Sequence, residues 1–181
     1  SSTPSTNLTG TITTDTTLSA ANSPYTVTGN VLVKAGVTLT IEPGVVVEFD
    51  TGTYIKVEGK LIARGTAGNP ITFDSNASNP AKGDWGGIRI RSTGGTVMDA
   101  NQNYVSGSEL KYVRIRHADR ALYVYNTGLL VTYCEFTDNT KAIELRKTTG
   151  VKVANSTFNQ NTYGFWFTQS NSATENYGDV I

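Results

Sequence analysis

The chain has 181 residues, of which 38% are hydrophobic and 17% are charged, and its 15 acidic and 15 basic residues give a formal net charge of zero. This length suffices for one folded domain and not for two of ordinary size. Because the chain has neither a net positive charge nor a run of Lys or Arg, the sequence argues against a nucleic-acid partner, and no apolar stretch is long enough for membrane insertion.

The start of the chain, from Ser1 to Pro24, is dominated by Ser, Thr, Asn and Gly, as in the mature starts of many secreted proteins. We interpret residues 1–24 as a linker plus cap, residues 25–170 as the folded body, and residues 171–181 as a polar tail or cap. Cys134 has no second cysteine with which to form a disulfide within the chain.

Short segments with alternating apolar residues follow one another along the body of the chain. Examples are Val31/Val33, Leu39/Ile41, Val47/Phe49, Ile55/Val57, Ile88/Ile90, Leu122/Val124, Ile143/Leu145 and Phe165/Phe167. Alternation with a period of two predicts short strands that bury every second residue, and no window shows a convincing helical stripe.

The segments also recur at a nearly constant distance, which predicts that they stack. The segments around Ile115, Phe136 and Phe158 repeat at nearly equal spacing. In the first half, Val31 recurs as Ile55, Leu39 recurs as Leu61, and Val47 and Phe49 recur as Ile71 and Phe73. A repeat of roughly 22 residues is close to the range of solenoid proteins. The pattern predicts an all-β, right-handed parallel β-helix of about five to six turns with three short strands per turn.

Stacking predicts one continuous core with two insertions outside it. We expect the following side chains inside: Val33, Ile41, Phe49, Val57, Phe73, Ile90, Ile115, Val124, Phe136, Leu145, Phe158 and Phe167. The segments 74–84 and 92–108 interrupt the repeat as insertions and flank the strand around Trp85. Because insertions protrude from a solenoid, these two are expected to form a wall beside a groove.

Four segments resemble a known family: Leu39–Phe49, Ile55–Thr66, Pro70–Phe73 and Asp84–Ile88. They are similar to the right-handed parallel β-helix modules of large secreted bacterial proteins, in the superfamily often called pectin-lyase-like. The resemblance implies the fold, and a range of functions that includes polysaccharide lyases, hydrolases, adhesins and modules without known activity. Lyases of that family carry several Asp or Glu residues for calcium with a Lys or Arg base, and this sequence shows no clear match to such a cluster.

Outward positions of the predicted strands form two neighbouring columns that suit a glycan. Aromatic rings can stack on sugars, and guanidinium forks can bind uronate carboxylates. Ordinary cross-strand pairs explain the same residues, so both interpretations stay open. The predicted ligand-binding residues are Arg89, Arg91, Tyr123, Tyr125, Glu144, Arg146 and Trp166.

A second outward surface carries acidic residues and the only histidine. We place Glu48 beside Thr72 in one column and Asp50 beside Asp74 in the next. These two aspartates can serve as acid and base, and His117 near Asp138 can act as a base with an orienting carboxylate. No serine or cysteine nucleophile motif accompanies them, and we assign no catalytic residue.

Asp99, Asn101 and Asn103 have the spacing of the first ligands in a calcium loop. Tyr104 replaces the glycine that such a loop needs, and Leu110 stands where a bidentate Glu is required. We therefore assign no metal and no cofactor, and leave calcium binding at these three residues open.

These observations favour a non-catalytic extracellular module that binds polysaccharide or another surface within a larger secreted or surface-attached bacterial protein. Other domains of a longer chain are then its expected neighbours. The alternatives are a polysaccharide lyase or glycoside hydrolase acting on an acidic glycan, and a structural spacer.

Overall fold

The polypeptide winds into stacked turns whose strands form three faces. A computed structural model describes residues 6–93, 95–101, 103–148 and 150–168. These residues form twenty strands and one 3-10 helix, Ala20–Asn22. No helix in this part of the chain is long and apolar enough to span a membrane.

The first and second faces belong to one sheet, because β1 and β3 bend and contribute to both. Their first halves lie in the first face and their second halves in the second. The strands of the first face are β1 (Thr6–Ile12), β3 (Tyr25–Val33), β5 (Val46–Phe49), β8 (Ile71–Ser75), β13 (Val113–Arg116), β16 (Glu135–Thr137) and β19 (Thr157–Asn159). The second face continues with β6 (Tyr54–Val57), β9 (Gly87–Ile90), β14 (Arg120–Tyr125), β17 (Lys141–Arg146) and β20 (Tyr163–Thr168).

The third face is a separate sheet, and one insertion forms a small hairpin of its own. The third face contains β2 (Thr16–Leu18), β4 (Thr38–Ile41), β7 (Lys60–Arg64), β12 (Glu109–Lys111), β15 (Leu129–Thr132) and β18 (Val151–Ala154). The antiparallel pair β10 (Val97–Met98) and β11 (Tyr104–Ser106) lies within the 92–108 insertion. All pairings within the three faces are parallel, which confirms the predicted parallel β-helix.

The number of turns differs from the prediction, because the structure has about seven where five to six were expected. The first and second faces each contain seven stacked rungs among the described residues. The additional turn begins in β1, whose residues pair with both halves of β3, and continues in β2, which pairs with β4.

One predicted register is wrong by two positions. Val47 lies opposite Phe73, and Phe49 lies opposite Ser75, whereas the sequence predicted Ile71 and Phe73 as their partners. The connection between β7 and β8, residues 65–70, is longer than the corresponding 42–45 connection between β4 and β5. As a result Glu48 stands beside Asp74 and not beside Thr72, and Thr72 stands beside Val46.

The core fills the interior of the stack, as the alternation predicts. Phe49, Phe73 and Phe136 are fully buried, and the ring of Trp85 stacks on Phe49 with centroids 3.8 Å apart. The prediction for Phe167 is wrong, because this side chain is 47% exposed. It lies in β20, the last described strand, so described residues pack against this strand from one side only.

Left-handed backbone conformations turn the chain at the corners between faces. Among the described residues, eight other than glycine have a positive φ, and they recur at equivalent corners of successive turns. The three corner columns are Tyr112, Tyr133 and Asn155; His117, Asp138 and Gln160; and Asn126 and Lys147. Because a single residue makes each bend, the strands on either side stay in register from turn to turn.

Candidate functional site

Outward side chains of the second face form a continuous column across five strands. Lys56 pairs with Arg89, and Arg89 pairs with Tyr123. The column continues from Tyr123 to Glu144 and Trp166. Since neighbouring strands lie about 4.8 Å apart, these side chains are close enough to act together on one extended ligand.

Arginines of this face lie against tyrosine rings. The guanidinium carbon of Arg89 is 3.6 Å from the centroid of the Tyr54 ring. Those of Arg91 and Arg146 lie 4.9 and 5.7 Å from the Tyr125 ring. Cation–π attraction holds each guanidinium in place against its ring.

Carboxylates of this face are already bound to neighbouring cations. Lys56 Nζ lies 2.6 Å from Glu58 Oε1. Glu144 Oε2 lies 3.1 Å from Lys141 Nζ and 3.2 Å from Arg120 Nε, which is an ion pair without hydrogen-bond geometry at Nε. Within the described residues, Arg89, Arg91 and Arg146 have no carboxylate partner.

We name this surface the cationic face and define it by six residues: Lys56, Arg89, Arg91, Arg120, Lys141 and Arg146. Three carboxylates accompany these six cations, namely Glu58, Asp119 and Glu144. Six positive and three negative charges leave a local excess of three in a chain whose formal net charge is zero. The face is therefore locally cationic although the whole chain is neutral.

The structure distinguishes the predicted site residues by their exposure. Arg91 and Arg146 are exposed, and Tyr125 is half-buried. Tyr123 and Glu144, each only 5% exposed, lie below the cationic side chains. They therefore pack beneath the surface and offer little area for contact with a ligand. Trp166 contacts Lys141, whose Nζ lies 4.9 Å from the ring centroid.

Three contributors to this surface were not identified from the sequence: Tyr54, Arg120 and Lys141. Tyr54 lies two residues before Lys56, and its outward position was readable from the alternation. Arg120 and Lys141 pair with each other at the beginnings of β14 and β17. Their side chains bend back over the face to reach Glu144, which alternation along a strand does not reveal.

Two clefts follow the cationic face, and they share Lys56 and Arg91. The first, which we name the Arg89 cleft, has a volume of about 410 Å³ and is lined by Tyr54, Lys56, Arg89, Arg91, Arg120, Tyr123 and Arg146. The second, the Ser92 cleft, has about 390 Å³ and is lined by Ala35, Lys56, Glu58, Arg91, Ser92, Thr93, Tyr125 and Asn126. Ser92 and Thr93, at the start of the 92–108 insertion, thus border the cationic face. This position is the one expected of a wall beside a groove.

The first face brings together a different pair from the one expected. His117 Nδ1 lies 2.6 Å from Asp74 Oδ1, whereas Asp138 is the corner residue of the next turn. Asp50 accepts a hydrogen bond from the Asn76 side chain. The predicted partnership of His117 with Asp138 is therefore replaced by one with Asp74, which lies one turn earlier.

The loop at Asp99 is organised by its own hydrogen bonds. One Asp99 oxygen accepts from the backbone N–H groups of Asn101 and Asn103, and the other accepts from the Asn103 side chain. These bonds from Asn103 and Asn101 hold the pKa of Asp99 below its usual value. In the part of the chain that the structure describes, no three His, Cys, Asp or Glu side chains group to hold a metal ion.

Cys134, the single cysteine, is buried in the core. Desolvation raises its pKa to about 12, so the thiol is protonated at neutral pH. It is a packing residue and contributes nothing to a reactive site.

Comparison with protein families identifies one match, described as a pectate-lyase like beta helix domain and covering residues 10–123. This is more than half of the chain and includes Arg89, Arg91 and Tyr123. No curated protein and no solved structure matches the chain.

Proposed function

The chain belongs to the pectate-lyase-like β-helix family, and on that premise we propose that it is a non-catalytic module that binds polysaccharide through its cationic face. We further propose that it acts outside the cell, as part of a larger secreted or surface-attached bacterial protein. The location rests on the resemblance to modules of secreted proteins and on the Ser- and Thr-rich start of the sequence.

One observation carries the proposal of binding. Arg89, Arg91 and Arg146 lie against tyrosine rings and have no carboxylate partner among the described residues, and all three line a cleft. An isolated arginine on a surface is solvated, but Arg89 and Arg91 at β9 and Arg146 on β17, two strands away, are packed on rings and offer donors to one ligand. An anionic glycan lying across the strands meets these donors in sequence.

The carboxylates of the same face favour binding over catalysis. Glu58 and Glu144 each form ion pairs with cations of the face. A carboxylate engaged by a lysine or arginine at about 3 Å is a poor general base, because proton uptake would break the ion pair. The face thus presents cationic donors and aromatic edges to a ligand.

Affinity electrophoresis in gels that contain polygalacturonate, alginate or neutral dextran tests the proposal. We expect retention by the acidic glycans, and the double variant Arg91→Gln/Arg146→Gln should bind about 10- to 100-fold more weakly, because a hydrogen bond to a charged group contributes roughly 1.5–3 kcal/mol. Arg114→Gln, which removes a partly exposed arginine of the first face, is the matched control and should bind normally.

Absence of retention in every gel would contradict the proposal and favour the structural spacer. Retention that the double variant does not change would place binding on another surface. Thermal unfolding of each variant shows whether the fold is intact, so that a loss of binding is attributed to the site.

A second candidate function, hydrolysis or lyase cleavage of an acidic glycan, is favoured by the contact between His117 and Asp74. A carboxylate at Nδ1 orients the imidazole and leaves Nε2 to accept a proton. Release of reducing ends or unsaturated products from polygalacturonate or alginate, abolished in Asp74→Asn, would reverse the order of the two functions.

A further inference from the structure

The Arg89 cleft concentrates more positive charge than the neighbouring carboxylates neutralise. Five cationic side chains line it: Lys56, Arg89, Arg91, Arg120 and Arg146. Lys56 is paired with Glu58, and Arg120 is paired with Asp119 and Glu144. Three guanidinium groups in one cleft thus have no carboxylate within ion-pair distance among the described residues.

Arg89 occupies the least solvated position among these three. It is half-buried, and its Nε is fully buried without a hydrogen-bond acceptor within the described residues. A buried charged group without an acceptor is costly, and the Arg89 side chain lines the cleft, where the charge of an anionic ligand would compensate its own. Desolvation lowers the pKa of Arg89, electrostatic interaction with Tyr54 raises it, the charges of Arg120 and Arg91 lower it, and the charge of Asp119 raises it, so like charges lie close to this position and are only partly offset.

The glycine at residue 86 leaves space for the guanidinium group of Arg89. A Cβ atom at residue 86 would lie 3.1 Å from Cβ of Tyr54 and 3.3 Å from Nη2 of Arg89. Glycine at this residue leaves room for the Arg89 fork to lie 3.6 Å from the centroid of the Tyr54 ring. The Tyr54 ring and the glycine at residue 86 therefore both position the Arg89 guanidinium.

We propose that the Arg89 cleft binds a phosphomonoester group, as carried by a phosphorylated sugar or glycan. A phosphomonoester carries a charge of about −1.5 to −2 and three strong acceptor oxygens, whereas a uronate carboxylate carries −1 and two oxygens. Three uncompensated guanidinium forks supply more charge and more donors than one carboxylate can use. The inference rests on the proposed binding face and specifies the chemistry of its ligand.

Isothermal titration with glucose 6-phosphate, glucuronate, glucose and methyl sulfate, at one ionic strength, tests the inference. We expect glucose 6-phosphate to bind at least 10-fold more tightly than glucuronate or methyl sulfate, and glucose to show no measurable binding. Arg89→Gln and, separately, Arg91→Gln should each weaken glucose 6-phosphate binding by 10-fold or more, while Arg114→Gln should not. A thermal-shift series with inorganic phosphate distinguishes the phosphate group alone from the sugar phosphate.

Equal affinities for glucose 6-phosphate and glucuronate would overturn the inference and leave the proposed polysaccharide function intact. Tighter binding of methyl sulfate than of glucose 6-phosphate would also overturn it and indicate a sulfate-ester site. Failure of the proposed function is a separate result, namely no retention on any of the glycans in the gels. If Arg89→Gln does not fold, Arg91→Gln decides, because Arg91 is exposed and contributes little to packing.

Discussion

At the scale of single residues, two asparagine side chains join the last three described turns. Asn139 Nδ2 donates to Asn161 Oδ1 over 2.9 Å and to the carbonyl of Ile115 over 2.9 Å. Asn139 Oδ1 accepts from the backbone N–H of Ala118. Because Asn139 is fully buried, each bond satisfies a group that water does not reach.

Replacing Asn139 by Ala should lower the free energy of unfolding by at least about 2 kcal/mol, since each buried donor or acceptor left without a partner costs about 1–3 kcal/mol. Urea denaturation followed by circular dichroism measures this change. Asn159→Ala, at an exposed position of the first face, is the matched control and should change stability by less than about 0.5 kcal/mol. Equal effects of the two substitutions would contradict the stabilising role assigned to the hydrogen bonds of Asn139.

At the scale of strands, β9 positions the cationic face through a close approach at Gly87. Its φ is 91°, and a Cβ there would lie 1.6 Å from the carbonyl oxygen of Arg120. No side chain fits between these two backbone segments. The pairing of β9 with β14, which sets Arg89 beside Tyr123, thus requires glycine at residue 87.

Gly87→Ala should destabilise the protein by about 3 kcal/mol or more, because it combines a strained φ with a backbone clash. It should also weaken glycan retention in the protein that remains folded. Gly68→Ala is the control, since nothing lies within 4 Å of a Cβ there and its φ is not positive. Normal retention by a stable Gly87→Ala protein would show that the β9 register does not determine the site.

The strand alternation predicts the fold well and the register less well. A shift by two positions keeps every inward side chain inward, so the pattern alone could not separate the pairing of Val47 with Ile71 from the observed pairing with Phe73. In contrast, Leu39 pairs with Leu61 as predicted, because the connections between those strands do not change the repeat.

The candidate site was partly visible in the sequence for a similar reason. The nearly constant repeat length in the second half of the chain placed Tyr123, Glu144 and Trp166 in one column, and they are in register. Ion pairs such as Arg120 with Glu144 depend on side chains that bend across the face. Tyr123 is buried because these side chains cover it. The alternation of apolar residues along a strand carries no information about such covering.

At the scale of the whole molecule, the faces of the solenoid differ in how their charges are paired. On the first face, Arg114 pairs with Glu135 and His117 with Asp74. On the third face, Arg64 pairs with Glu109. Among the described residues, Arg89, Arg91 and Arg146 of the second face lack an ion pair, compared with Arg116 alone among the arginines of the first face, so a chain with zero formal net charge has a local excess of positive charge on its second face.

Mapping the ligand contacts by heteronuclear NMR tests the central claim most directly. During titration with an acidic glycan that the gels retain, we expect the largest shift changes at the Arg89, Arg91 and Arg146 side-chain N–H groups and along β6, β9 and β14. The Arg114 side chain and the first face should remain unchanged. Changes confined to the first or third face, or spread evenly over all three, would contradict the assignment of binding to the cationic face.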